Sequence, residues 1–328
     1  MTTRPSQILA NAAAILVCFV MIFPVFSTLV LSFKQQADVS HNPPLLFPCN
    51  TPTQDFDLSA CRFFVEGYER IISLKPSPGS LFGVKIDGRI INTYLPNTVF
   101  YAVASALVVT LLAALTSYVL SRYAFPGKRL LMLGILAITG IPLLTNLLAL
   151  YQLVVDLRKA LAPVYAGWLS NQVFADVTIA AMRDWQDRIV LVFVYTGFFL
   201  PFSIWLVKGF LDAIPKELEE AAFIDGASPL QALTRVIAPL AAPGLLSAFL
   251  LTFVGVWNEF ITNYLLVGTS KQALRSVIVG VFDLTGNNLI NYQVLAAACV
   301  LVMLPVVLVF LSTRRTFFEA MVEGAVKG

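Results

Sequence analysis

The chain has 328 residues, of which 58% are hydrophobic and 12% charged, with a formal net charge of +3. Soluble chains carry roughly 25% charged residues, so the composition is that of a membrane protein, and a charge this small with no basic run excludes a nucleic-acid partner. The single histidine, His41, excludes a histidine-based metal or catalytic cluster, and the four cysteines show no CxxC spacing.

A membrane-spanning helix needs about 20 mainly apolar residues. Windows of that kind fall near 8–33, 97–121, 130–155, 189–211, 241–267 and 292–312, which predicts an all-α protein of about six spans. The first window follows Arg4 and has no small-x-small cleavage site before Lys34, so it reads as an uncleaved signal-anchor. Orientation follows from the short loops. Arg122, Lys128 and Arg129 crowd the 122–129 turn, and Arg314 and Arg315 follow the last span. The positive-inside rule puts both in the cytoplasm, together with both termini and the 212–240 segment. Segments 34–90, 156–188 and 268–290 then face outward.

Residues 1–90 are expected to form the anchor span plus an ordered outer cap, rich in turn-forming Pro and Gly and in aromatics such as Phe63, Phe64 and Tyr68. Residues 91–328 form the transmembrane core. Cys49 and Cys61 share the cap; in an oxidising outer compartment they can pair. Spacing alone leaves two free thiols equally open.

In mid-chain the apolar text gives way to "PKELEEAAFIDGASPLQALTRVIAPL". Pro215 suits a first helical turn, and "KELEEAAFI" is strong in helix formers, with Glu217 at the positive end. Asp225-Gly226 ends that helix, because Gly takes the left-handed conformation without steric cost. Ser228 caps a second helix with Pro229 at its first position, and Pro239 stops it. Leu218, Ala221 and Ala222 share one face; Leu230, Leu233 and Ile237 share the other. Two consecutive stop–start signals with an apolar face left over predict a helical hairpin built for docking, against the plainer reading of an ordinary polar loop.

These residues resemble the EAA signature of ATP-binding-cassette importer permeases. Glu220, Ala221, Ala222, Gly226 and Pro239 match, while Val236 and Ala238 depart from the usual Ile and Leu near the end. "LPFSIWLVKGFLDAIPKELEEAA", "FVGVWNEF" and "EGAVKG" are similar to the carbohydrate-importer permeases of the maltose type, in particular the smaller, MalG-like subunit. The likeness covers about 90–328 well and the first span more loosely, and leaves out 34–90 and most of 156–188. It implies a bacterial inner-membrane permease subunit that performs no catalysis and binds no cofactor itself. ATP and Mg would sit on a partner ATPase dimer, whose cleft receives the hairpin, with Glu220 paired to a basic residue and Gly226 setting the angle. The C-terminal tail would also touch the ATPase. The other implied partners are a second homologous permease and an extracytoplasmic solute-binding protein, toward which the 268–290 loop would reach. Carbohydrate is the implied cargo, with a glycerol-phosphate compound as the alternative within the family.

No Walker A pattern occurs; "FPGKR" lacks the required spacing. Trp257, Asn258 and Glu259 lie about 27 Å along the fifth span from Ala241. An ionisable residue there faces a cavity or the bundle interior, so these residues either line the substrate path or bond spans together. Asn146, Gln152 and Tyr195 are further path candidates. A secondary transporter would show paired interrupted helices, and an intramembrane enzyme would show converging catalytic groups; neither pattern is found.

Overall fold

A computed structural model describes residues 5–40, 62–72, 90–169, 175–268, 271–285 and 290–326. Among these, all regular structure is helical. In chain order the helices are α1 (Pro5–Ser32), α2 (Gln36–Ser40), α3 (Glu66–Ile72), α4 (Leu95–Arg122), α5 (Lys128–Thr139), α6 (Leu143–Leu169), α7 (Ala175–Asp212), α8 (Glu217–Ile224), α9 (Pro229–Ala232), α10 (Ala238–Leu240), α11 (Ala242–Asn258), α12 (Ile261–Asn263), α13 (Val277–Asp283) and α14 (Tyr292–Val326). Cys49 and Cys61 lie outside the described residues.

Among the described residues, four helical stretches are long and apolar enough to cross a membrane: Leu9–Ser32, Ile90–Arg122, Ala181–Asp212 and Tyr292–Arg314. A fifth crossing exists if Pro229–Leu240 and Ala242–Asn258, which meet at 79°, are taken as one broken span. Two of the six windows therefore differ from single straight helices. The 130–155 window is divided by Gly140-Ile141-Pro142 into α5 and α6, where Pro142 removes a backbone donor and turns the chain. The 241–267 window ends its regular helix at Asn258. The 156–188 segment, expected as an outer loop, is largely helical, because α6 runs on to Leu169 and α7 starts at Ala175.

The chain divides into two compact units, 1–95 with 280–305 and 96–279 with 306–328. In the first, α1 is predominantly apolar and leaves its spanning window entirely unburied, which suits a helix surrounded by lipid or another subunit. The described stretch of the cap around α3, 62–72, is fastened to the end of α1, to the residue after it and to the start of α14. Phe64 N–H donates to Phe33 O at 2.9 Å, Ser32 and Tyr68 hydroxyls are 2.6 Å apart, and Gln293 donates to Phe64 O at 3.3 Å. Beyond α1, burial pushes the Lys34 ammonium below its ordinary range, and Asp38 partly offsets this.

In the second unit α7 and α11 run antiparallel and approach closely because glycine faces phenylalanine twice. A Cβ at Gly244 would lie 2.4 Å from Phe210 Cγ, and one at Gly255 would lie 2.4 Å from Phe199 Cε1. Both pairs are separated by the same eleven positions, about three turns on each helix, so they fall on one seam. Toward one end of this unit, a core of Ala113, Tyr118, Leu120, Met132, Ile204, Val207 and Leu211 receives the mid-chain hairpin.

Candidate functional site

The hairpin forms as its local chemistry dictates. Helix α8 ends in a Schellman motif: Ala227 N–H bonds to Ala222 O at 2.9 Å and Gly226 N–H to Phe223 O at 3.0 Å. Gly226 has φ +84° with open space around its missing side chain. Ser228 then caps α9 in a reciprocal box, accepting from Gln231 N–H at 3.4 Å while its own N–H donates to Gln231 Oε1 at 2.8 Å. Pro229 takes the first position of α9. Pro239 cannot donate, and the preceding turn widens: over Leu233–Ile237 the bonding is π-helical, with Ala238 N–H reaching Leu233 O. Helix α8 starts at Glu217, so Pro215 lies just ahead of the first turn.

The two faces divide differently from the sequence grouping. Ala222, Ala232, Leu233 and Ile237 turn inward against the core. Leu218, Phe223, Ile224 and Leu230 are exposed, Ile224 at 86%, as are Glu220, Ala221 and Pro239. Leu233, grouped with Leu230 on a docking face, is thus a core residue: three positions apart, the two sit about 60° apart around the helix, and only Leu233 turns inward. The exposed side of α8 carries Glu220 and Ile224, four positions apart on one face, with Leu218 and Phe223 on its flanks and Leu230 on α9.

Glu219, which sequence reasoning passed over, is 5% exposed. Its Oε1 accepts from the Tyr118 hydroxyl, and its Oε2 lies 2.8 Å from Arg122 Nε. That N–H is not aligned for a hydrogen bond, so the pair is held by charge proximity. Arg122 also donates from Nη2 to Ile214 O at 3.1 Å, and Ser121 donates to Asp212 at 2.7 Å. The available sequence signal was register: Glu219 stands three positions before Ala222, on the same helical face.

The expected path residues are distributed. Trp257 and Tyr195 are buried, with Trp257 packed on Phe253 at 5.5 Å between ring centroids. Glu259 stands at the break after α11. Its carboxylate accepts from Thr262 N–H at 3.0 Å, from Asn263 N–H at 3.4 Å and from Tyr195 Oη–H at 3.3 Å, so it caps α12 and ties it to α7. Asn258 is exposed and bonds back to Val254 O at 2.9 Å. Asn146 is exposed in a groove of about 820 Å³ lined also by Thr139, Phe193 and Gly197. Gln152 is exposed and bonds to Asp156. The start of the 268–290 loop is stitched down: Asn97 donates to Ala273 O at 2.8 Å, Tyr101 to Leu274 O at 3.0 Å, and Lys271 bridges Asp184 at 2.6 Å and Asp187 at 3.0 Å.

Together these features describe a multi-pass α-helical membrane protein with a mid-chain hairpin packed on one side against the core. The chain belongs to the family described as "Binding-protein-dependent transport system inner membrane component", which matches residues 106–319. It is similar to the trehalose/maltose transport system permease protein MalG of Thermococcus litoralis, 27% identical over 98% of this chain and 97% of that protein. It is also similar to the melibiose/raffinose/stachyose import permease protein MelC of Bacillus subtilis, 27% identical over 99% and 98%. The fold is shared with a chain in the crystal structure of a bacterial ABC transporter involved in the import of the acidic polysaccharide alginate. There the TM-score is 0.61 at 19% identity, covering 97% of this chain and 99% of that one.

Proposed function

We propose that this chain is one permease subunit of an ATP-binding-cassette importer for a carbohydrate, moved between outward- and inward-facing states by a separate ATPase seated on the α8–α9 hairpin. The observation that carries the reading is the exposure of apolar Leu218, Phe223, Ile224 and Leu230, with Glu220, on a hairpin whose other side packs into the core. Exposed apolar side chains on a polar segment suit a protein partner, and the Glu220 carboxylate, on the same helical face as Ile224, suits a cation in that partner's cleft. ATP and Mg belong to the partner, as does hydrolysis. A second permease and an extracytoplasmic solute-binding protein complete the importer. The carbohydrate assignment rests on the cargo named for the relatives.

In this reading the hairpin moves as a rigid body with the closing ATPase and carries the attached spans with it. Exposed Asn146 and Asn258 are the path residues, since an amide offers donors and acceptors to sugar hydroxyls. Trp257, Tyr195 and Glu259 brace the helices around them. The tail after α14's spanning part adds a second contact with the ATPase, and the 268–290 loop faces the binding protein.

The test is purification of the tagged chain with its ATPase, and uptake of labelled sugar into proteoliposomes containing the assembled complex. ATP-dependent uptake, abolished with loss of ATPase association by Glu220→Arg, is expected. Uptake driven by an ion gradient without any ATPase would refute the reading.

A further inference from the structure

Buried at the base of the hairpin, one carboxylate meets two groups of a spanning helix. Tyr118 and Arg122 are four positions apart on α4, hence on one face. They take one Glu219 oxygen each, the hydroxyl on Oε1 and the guanidinium beside Oε2. Both charged side chains are 6% exposed. We propose that Glu219, held by Tyr118 and Arg122, is the positioning residue through which movement of the hairpin is passed to α4, distinct from the exposed residues that seat the ATPase. This rests on the importer reading above.

Three observations carry it. The hairpin's second arm is already joined to α11 through Ala241, so it drives that helix by covalent continuity. Helix α8 has no such continuity with α4, and its inward face offers only Ala222 and Glu219. An alanine methyl gives little lateral grip, which leaves the carboxylate as the directional tie. Arg122 further holds Ile214 O, and Ser121 holds Asp212, so the end of α4 is also fastened to the end of α7 and to the joint that leads into α8.

The chemistry points the same way. Burying an ion pair is costly, and an apolar pair of equal volume usually coheres as well or better. What charge adds is a fixed relative geometry. A carboxylate with each oxygen separately engaged cannot slide along α4 without losing one partner, so a push on α8 becomes a displacement of α4.

The experiment uses the complete complex in proteoliposomes, with ATP hydrolysis and cargo uptake measured on the same preparation. Removing one charge strands the other, so the informative variant removes both: Glu219→Gln with Arg122→Met. This double variant is expected to assemble with the ATPase and hydrolyse ATP, but to move roughly 2- to 30-fold less cargo per ATP, the range through which a residue in a coupling network acts. Tyr118→Phe, which keeps the ion pair, is expected to show a smaller loss of the same kind. Unchanged cargo per ATP in the double variant would overturn the proposal. So would dissociation of the ATPase from the double variant, since that would make the pair a folding or docking element. Wild-type uptake, run alongside, tests the importer reading on its own.

Discussion

Replacing Gly244 by Ala should damage the protein far more than replacing Gly255, although both lie in the same helix and both face a phenylalanine of α7. A Cβ at Gly244 would sit 2.4 Å from Phe210 Cγ, 2.5 Å from Cδ2 and 2.7 Å from Cβ. Carbon atoms prefer about 3.5–4.0 Å, so roughly 1 Å must be found. The obstructing atoms are the root of the ring, fixed to the α7 backbone, so the helices themselves must part. At Gly255 the nearest atoms are Phe199 Cε1 at 2.4 Å and Cζ at 2.5 Å, with Cδ1 already at 3.5 Å. That is the tip of a ring, which a change of side-chain torsion can withdraw. Overpacking costs about 1–3 kcal/mol, and Gly→Ala in a helix returns about 1 kcal/mol. Gly255→Ala should therefore be near neutral, and Gly244→Ala should lose about 2 kcal/mol. Adding Phe210→Ala should recover only part of the loss, because the Phe210 Cβ remains in the way. Thermal unfolding of the purified complex in detergent reads the difference. Equal transition temperatures for the two single variants, or full recovery by Phe210→Ala, would refute the packing account.

Gly226→Val places a β-branched residue at φ +84° with no neighbour to clash with, a backbone penalty of about 1–2 kcal/mol or more. ATP-driven uptake should fall while membrane insertion persists; normal uptake at normal abundance would count against a turn-set hairpin. Glu259→Ala leaves the α12 amides without their acceptor and should cost about 1–2 kcal/mol, with Glu259→Gln costing less than half of that. Identical melting of all three forms would remove the capping role. Asp187→Asn strips the shared carboxylate from Arg158, 2.7 Å away, and Lys271, 3.0 Å away. It should cost about 2 kcal/mol and speed proteolysis between 259 and 276, and unchanged cleavage there would argue against Asp187 as a tie for this segment.

Much of the hairpin was legible because its signals are local. Asp225-Gly226, Ser228 and Pro229 each act within four residues, and the structure uses them as read. The long spans were legible for the same reason, since length and apolarity belong to a single window. The misreadings arise where distant residues or a broken helical period decide. Gly140-Ile141-Pro142 sits inside an apolar window that hydropathy joins and backbone chemistry divides. Leu230 and Leu233 sit about 60° apart around the arm, and which of them is covered is decided by core residues from distant parts of the chain. Glu219 reads as a solvated charge in a charged segment. Its partners lie about a hundred positions upstream, and Arg122 looks from sequence like an ordinary positive-inside residue.

The 79° bend at Ala241 makes the hairpin's second arm a crank handle on α11. The arm from Pro229 to Leu240 is about 18 Å long at 1.5 Å per residue. Because it stands almost square to α11, a sideways push at its tip acts mainly as torque about that helix's axis. Sweeping the tip by about 3 Å turns α11 by about 10°, which carries a side chain at the helix rim through about 1 Å. Such a lever would gear down: a displacement of its tip would become a shorter and more forceful one in a close-packed seam. The seam it would turn is the one where Gly244 and Gly255 lie under phenylalanine rings, and there a shift of that size is enough to reseat a ring.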